Sequence, residues 1–264
     1  MADGKKIAII GGTGLYTGLE KILADRMRVD NVQTKYGPVL SYTLGRYENT
    51  RVVLLPRHGL GTKESFRTPA QLVSETGYEA SIFLLHAIGV QKVYSFSAVG
   101  SCETSKGLVD DGVFIVPTTY GRGLAASQHS FGSNAKVFHP SMKEPFNKEL
   151  REISLKAIKN AGFTPVDGGT YITNEGDAIE TPTEVNAVMR MYYFSDKPLV
   201  LGMTAVPEAQ LCAQMQIPYV AICNPVNYAE GLVNEPFDHN KVLERINKSE
   251  DSIVKICECI LELT

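Results

Sequence analysis

Two adjacent residues, Arg57 and His58, follow an apolar run at 52–55 and precede a polar, glycine-containing stretch. An arginine at the end of a buried strand offers a planar fork that matches phosphate oxygens. By itself, an Arg-His pair is more often part of a solvated loop. Earlier, Gly11-Gly12-Thr13-Gly14 follows a second apolar run at 7–10 and opens a helical segment. Glycines let the backbone approach an anion, a helix N-terminus supplies free N–H groups, and Thr13 adds a hydroxyl. The same turn admits two other readings: a tight strand-to-helix connection without a ligand, and a dinucleotide-binding loop with Asp30 as the acid on a ribose. Gly18 stands one residue too late for the third glycine of such a loop, which weakens the dinucleotide reading. The Tyr-x-x-x-Lys spacing of Tyr193 and Lys197 lies directly before Pro198, in a helix-to-strand turn, and is read as chance.

The richest stretch is Gly202-Met203-Thr204-Ala205-Val206-Pro207-Glu208. An apolar run at 199–201 breaks at Gly202 and enters a helix, with Thr204 as cap and Pro207 and Glu208 in the first turn. A further apolar run follows at 219–223, with Asn227 just past its end. Two strand ends therefore present polar groups on one edge of a sheet, where open α/β sheets bind ligands. Glu180 and His239 complete the candidates. Read singly, Glu180 is a solvated acid, Asn227 a turn residue and His239 a helix cap.

These groups need a scaffold of alternating strands and helices. Strands are predicted at 7–10, 39–44, 52–55, 93–97, 112–116, 168–173, 199–201 and 219–223, and helices at 15–24, 69–88, 147–161, 182–192 and 239–261. The stretch 118–145 reads as irregular, and a connection of that length is usually functional or interfacial. Strands alternating with helices imply an α/β fold with a mostly parallel twisted sheet covered by helices on both faces. With no Pro/Gly/Ser-rich linker and no internal repeat, residues 1–264 read as one domain.

The 264 residues are 44% hydrophobic and 21% charged, an ordinary globular composition with a formal net charge of -3. That charge exerts no general pull towards nucleic acid or a membrane surface, so an anionic ligand must be held by local groups. Five cysteines at 102, 212, 223, 257 and 259 include no CxxC pair and read as thiols in a reducing compartment. Met1-Ala2-Asp3-Gly4-Lys5-Lys6 runs straight into a predicted strand and does not read as a signal peptide, and no apolar run is long enough to span a membrane. A cytoplasmic location is expected.

Taken together, Ile9-Ile10-Gly11-Gly12-Thr13-Gly14-Leu15, Arg57-His58-Gly59, Ser97-Ala98-Val99-Gly100-Ser101, His139-Pro140-Ser141-Met142-Lys143-Glu144-Pro145-Phe146, Glu175-Gly176 and Gly202-Met203-Thr204 with Val206-Pro207-Glu208 form a series. In this order, over nearly the whole chain, the series resembles the purine nucleoside phosphorylase and methylthioadenosine phosphorylase family. The resemblance implies phosphate contacts at Thr13, Arg57, His58, Ser97, Ala98 (through its backbone N–H) and Thr204. It implies a base site at Glu180, Asn227, Ile179 and Ala98, and a ribose site at Met203, Tyr78 and His239. His58 and Asn227 would be catalytic. It also implies a homotrimer in which His139 reaches an adjacent subunit's site, with inorganic phosphate as co-substrate and no metal or organic cofactor.

Within the family, the residues at the base site discriminate between substrates. A 6-oxopurine carries a donor at N1–H and an acceptor at O6, whereas adenine carries a bare N1 and an amino group. Ionised Glu180 is acceptor-only and suits N1–H, while the Asn227 amide can accept from a protonated N7 and donate to O6. Methylthioadenosine enzymes have acids matching Asn227 and Ala229, and this chain has neither. The resemblance therefore implies phosphorolysis of inosine and guanosine in purine salvage. A methylthioadenosine or methylthioinosine phosphorylase is the alternative within the class. A nucleotide-cofactor oxidoreductase is the distant alternative outside it, and a non-catalytic trimeric relative the third.

Overall fold

The structure, a computed structural model, describes residues 5–12, 16–60, 66–104, 107–124, 126–132 and 139–264. In chain order the elements are β1 (Lys6–Gly11), α1 (Tyr16–Lys21), β2 (Ala24–Thr34), β3 (Gly37–Tyr47), β4 (Thr50–Pro56), α2 (Pro69–Ser74), α3 (Gly77–Ala87), β5 (Lys92–Ser101) and β6 (Val113–Val116). There follow β7 (Thr119–Arg122), α4 (Lys148–Asn160), β8 (Thr164–Asp167), β9 (Thr170–Thr173), α5 (Pro182–Met191), β10 (Leu199–Gly202), α6 (Ala205–Gln214), β11 (Tyr219–Tyr228) and α7 (His239–Leu263).

Among the described residues, eleven strands join one sheet, ordered β2-β3-β4-β1-β5-β10-β9-β7, with β11 on β5 and β6, and β8 on β6. Strand alternation builds two apolar layers from the same runs. Ala8, Ile10, Val53 and Leu55 face a layer completed by α3 and α6. Ile7, Ile9, Val52 and Leu54 face a layer completed by α1, α4 and α7. A strand buried on both faces reads as a continuous apolar run, which is why these central strands were predictable. The pairs β1–β4, β1–β5, β5–β11, β9–β10, β7–β9 and β6–β8 are parallel. The α/β class and the mostly parallel helix-covered sheet are as expected.

The structure departs from expectation in several elements. The predicted first helix is shorter, and β2 then forms an antiparallel hairpin with β3. Almost every β2 residue is exposed or half-exposed, so no face carries the alternation that signals a strand. Asp30 lies on this outer strand paired with Arg28 at 2.8 Å, far from the role of a ribose acid. A dinucleotide fold would place the second strand parallel to the first; here it is an edge hairpin. The predicted helix 69–88 is two helices, broken at Thr76, whose φ of 53° is left-handed. A Cβ on Gly77 would meet buried Leu72 Cδ2 at 2.7 Å and Leu72 Cα at 3.3 Å, so a larger residue there would force Leu72 to shift. The irregular stretch also contains a strand, β7.

All five cysteines are free thiols. No helix among the described residues is long and apolar enough to cross a membrane.

Candidate active site

Parallel neighbours end at different points along β5, and this opens the site. The pairing of β1 with β5 ends at Ser95, and β10 joins from the same side only at Gly100. Between them β5 has β11 as its strand neighbour, and a cavity of about 250 Å³ lies over the gap. It collects Ser97 and Ala98 of β5, Asn227 of β11, and Gly202, Met203 and Thr204 at the end of β10. Arg57 and His58 enter from beyond β4, and Ile179 and Glu180 from the segment before α5. The ligand-binding edge of the sheet is thus the carboxyl end of its parallel strands.

Nine of the predicted site residues line this one cavity: Arg57, His58, Ser97, Ala98, Ile179, Glu180, Met203, Thr204 and Asn227. Thr13 lies outside the described residues, although Gly12 beside it lines the cavity. Tyr78 stands behind the wall and donates from its hydroxyl to the Met203 carbonyl at 3.3 Å. His139 is exposed on the connection before α4. His239 is exposed in the first turn of α7 and is not part of the lining. Phe237, Val242, Leu243 and Ile246 form the wall there.

Arg57 is 6% exposed, and its fork faces Glu208 of α6, which is 2% exposed. Nε donates to Glu208 Oε1 at 2.5 Å and Nη2 to Oε2 at 3.2 Å. Nη2 also donates to Ser95 Oγ at 2.7 Å, and Nη1 to the Phe96 carbonyl at 3.2 Å. A guanidinium has five N–H groups, so one on Nη1 is left for a ligand. Burial alone would disfavour the arginine charge, but Glu208 outweighs it and holds the pKa above its ordinary value. Ser95 and Tyr219 donate to Glu208 Oε2 at 2.7 and 2.8 Å. Arg57 is therefore as much a buried strut between β4 and α6 as a ligand group.

His58 carries no charge at neutral pH. Burial first, and then the neighbouring Arg57 cation, push its pKa down to about 4. Its Nδ1 lies 2.8 Å from the Arg67 carbonyl. In the neutral ring that nitrogen is the donor, which leaves Nε2 as an acceptor. Phe66 stacks on the ring at 5.6 Å. We predict that the carbon-bound ring protons of His58 titrate by NMR with a midpoint near 4. A midpoint near 6.5, the ordinary histidine value, would show that the ring is open to water and its tautomer unfixed.

Thr204 occupies the N-cap position of α6, but its side chain makes no capping bond. Tyr171 takes that task, its hydroxyl accepting from the backbone N–H of Thr204 at 3.1 Å and of Ala205 at 3.3 Å. A Cβ on Gly202 would lie 2.2 Å from this hydroxyl, so the chain break needs glycine. Released from capping, Thr204 Oγ1 sits 3.1 Å from Ser97 Oγ, and the two hydroxyls converge on the cavity. Sequence reasoning missed Tyr171, Ser95 and Tyr219, and took Glu208 only as a first-turn acid. The one available signal was an acid inside an otherwise apolar helix start.

A register shift between Pro225 and Asn227 bulges β11 at the cavity, and bulges re-aim side chains. Asn227 Nδ2 donates to the Tyr228 carbonyl at 2.8 Å. Only the amide nitrogen can donate to a carbonyl, so the amide orientation is fixed. Oδ1 and the second N–H remain for a ligand. Glu180 Oε1 accepts from Asn174 Nδ2 at 3.1 Å, which leaves the carboxylate with further acceptor sites. Asp177 ties this segment to α2 by accepting from the Ala70 N–H at 3.0 Å. Among the described residues, no cluster of three or more His, Cys, Asp or Glu could hold a metal.

The chain matches the family model for the phosphorylase superfamily over residues 6–262. It is 32% identical over 259 residues, 97% of its length and 90% of the relative's, to a probable 6-oxopurine nucleoside phosphorylase of Dictyoglomus turgidum. It is also 32% identical over 252 residues, 96% of its length and 90% of the relative's, to a probable S-methyl-5′-thioinosine phosphorylase of Methanocaldococcus jannaschii. Its fold superposes with a TM-score of 0.83 and 25% identity on a methylthioadenosine phosphorylase from an antarctic soil metagenomic library, covering 99% of this chain and 86% of that one.

Proposed function

We propose, from the premise that this chain belongs to the purine nucleoside and methylthioadenosine phosphorylase family of the phosphorylase superfamily, that it cleaves 6-oxopurine ribonucleosides with inorganic phosphate. The products are the free base and ribose 1-phosphate. As a family member the chain is a pentosyltransferase. The observation that carries the substrate reading is the pairing, in one cavity, of an acceptor-only carboxylate at Glu180 with an amide at Asn227 whose Oδ1 and one N–H are free.

Phosphate sits between the Ser97 and Thr204 hydroxyls, the free Nη1 proton of Arg57 and the acceptor Nε2 of His58. Thr13 and the Ala98 N–H are the further contacts implied by the resemblance. His58 Nε2 accepts a hydrogen bond from the P–OH of a hydrogen phosphate and so turns an unprotonated oxygen towards the sugar. That oxygen attacks the anomeric carbon as the base departs through an oxocarbenium-like state, so positioning and electrostatics do the catalytic work. As negative charge develops on the leaving base, N7 takes up a proton from water, and Asn227 Oδ1 accepts from the N7–H so formed, a bond that the bare N7 of the bound nucleoside cannot make. Ile179 packs on the base, and Met203, backed by Tyr78, lies under the ribose. In the implied homotrimer, exposed His139 faces a neighbouring copy's site.

A second reading concerns the 5′ group. Phe237, Val242, Leu243 and Ile246 suit a methylthio group better than a hydroxyl, which favours 5′-methylthioinosine.

The test is phosphorolysis of inosine, guanosine, adenosine, methylthioadenosine and methylthioinosine, with and without phosphate. Each 6-oxopurine should exceed its 6-amino counterpart by roughly tenfold to a hundredfold in kcat/KM, the 1–3 kcal/mol of an unpaired buried polar group. Asn227→Asp should narrow that ratio. A higher kcat/KM for adenosine or methylthioadenosine would overturn the 6-oxopurine reading. His239→Ala separates the two 5′ readings. A loss confined to inosine, of roughly tenfold or more, would mean that His239 reads a hydroxyl. Small, equal losses for inosine and methylthioinosine leave recognition to the apolar wall.

A further inference from the structure

A second cavity, of about 280 Å³, adjoins the first. Phe237 and Val242 line both and form the partition between them, with Asn227 at the common corner. The first cavity is apolar on this side, whereas the second carries Glu230, Glu235, Asp238, Lys241 and Arg245.

Most of these charges are already engaged. Lys241 Nζ pairs with Glu235 Oε2 at 3.2 Å. Asp238 Oδ1 accepts from the backbone N–H groups of Asn240 and Lys241 at 2.9 and 3.3 Å. Two are not. Arg245 donates through Nη1 to the Val109 carbonyl, and its Nε and Nη2 edge makes no bond to another described residue. Glu230 makes no ion pair or hydrogen bond with another described residue. A free Nε/Nη2 edge matches a carboxylate bidentately, and a free half-buried carboxylate matches an ammonium.

We infer that the second cavity receives an amino-acid tail carried on the 5′ sulfur of the nucleoside, its carboxylate on Arg245 and its ammonium on Glu230. This rests on the 6-oxopurine phosphorylase reading and extends the substrate class from methylthio to longer 5′-thioethers. The thioether sulfur and its first methylenes pass the Phe237–Val242 partition, where an apolar lining suits them, and the charged end emerges among charges of both signs. The three acids disfavour a 5′-phosphate, whose two negative charges would have only Lys241 and Arg245 to offset them.

The experiment compares phosphorolysis of three inosine 5′-thioethers, bearing methyl, n-butyl and 3-amino-3-carboxypropyl groups, with inosine 5′-monophosphate as the anionic control. The amino-acid thioether should exceed the butyl compound in kcat/KM by tenfold or more, and the monophosphate should be the poorest. Arg245→Gln and, separately, Glu230→Gln should each lower the ratio of amino-acid to methyl thioether about tenfold. The two variants guard against a folding defect in either one. If the methyl compound is cleaved and the amino-acid compound is not, or if neither variant changes the ratio, the tail site is overturned while the phosphorylase reading stands. If no nucleoside is cleaved, the phosphorylase reading fails. Calorimetric binding of the amino-acid thioether to wild type and Arg245→Gln then decides the cavity alone, and equal or absent binding overturns it.

Discussion

Arg57→Ala is expected to lower the stability of the protein by about 3–5 kcal/mol, the range for stranding one charge of a buried pair. Glu208 would remain almost fully buried, with only the Ser95 and Tyr219 hydroxyls to serve it. Glu208→Ala should cost a similar amount for the mirror reason, since the Arg57 charge would keep only Ser95 and the Phe96 carbonyl. The double variant Arg57→Met/Glu208→Leu should lose far less than the two single losses combined, because well-packed apolar groups can replace a buried pair at little cost. Urea unfolding midpoints of the four proteins check this. A phosphate KM raised in Arg57→Ala with the midpoint unchanged would mean that the residue is a ligand and not a strut. The double variant should still show a raised phosphate KM, since it lacks the remaining Nη1 proton whatever its stability.

This dual use of Arg57 marks where sequence reading ends. Arg57, His58, Thr204 and Asn227 were legible because each lies just past an apolar run, and strands buried on both faces announce themselves as such runs closed by polar or glycine residues; Ser97, inside β5, was legible only through the family resemblance. Parallel strands bring those ends to one edge, so their convergence followed from the alternation of strands and helices. The partner of Arg57 was not legible. Glu208 is 151 positions away, and no local rule pairs one fork with one acid over that distance. The cap of α6 was misassigned for a related reason: Thr204 has the right residue type and position, but Tyr171 from a neighbouring strand supplies the bond. His239 shows a third limit. The start of α7 is set by Asp238, whose carboxylate accepts from two helical N–H groups, and in that phase Phe237 faces the cavity while His239 faces out. The sequence placed the start of this helix correctly at 239, but not which of the residues around that start turns to the cavity, and that choice decides whether the wall is polar or apolar.

The second large effect concerns His129, on the long connection after β7. It is 7% exposed. Nδ1 lies 3.1 Å from Glu79 Oε1 on α3, and Nε2 lies 2.9 Å from Glu175 Oε1 beyond β9. Burial opposes its charge, but the bonds to Glu175 and Glu79 outweigh burial and push the pKa up to about 9. Glu175 is likewise held below the ordinary carboxylate range despite its burial, by bonds to His129 and Ser127. Only the imidazolium can donate from both nitrogens, so only the protonated ring clasps both acids. The folded pKa lies above the unfolded value of about 6.5. The clasp therefore contributes its full stability below about pH 6.5 and loses it as pH rises through about 9. His129→Ala should cost roughly 3 kcal/mol at neutral pH by leaving two acids close together, Glu175 with only Ser127 to serve it and Glu79 without its imidazolium partner. It should also abolish the fall in stability between neutral pH and pH 9 that is expected of the parent protein. Tyr78 packs edge-on against His129 at 5.4 Å and donates to the Met203 carbonyl. The KM for nucleoside should therefore rise in the variant, and in the parent above pH 9, while the phosphate KM moves less. Unfolding midpoints and nucleoside KM measured from pH 6 to 10 check both effects. A variant whose stability falls with pH in parallel with the parent would remove His129 as the titrating clasp.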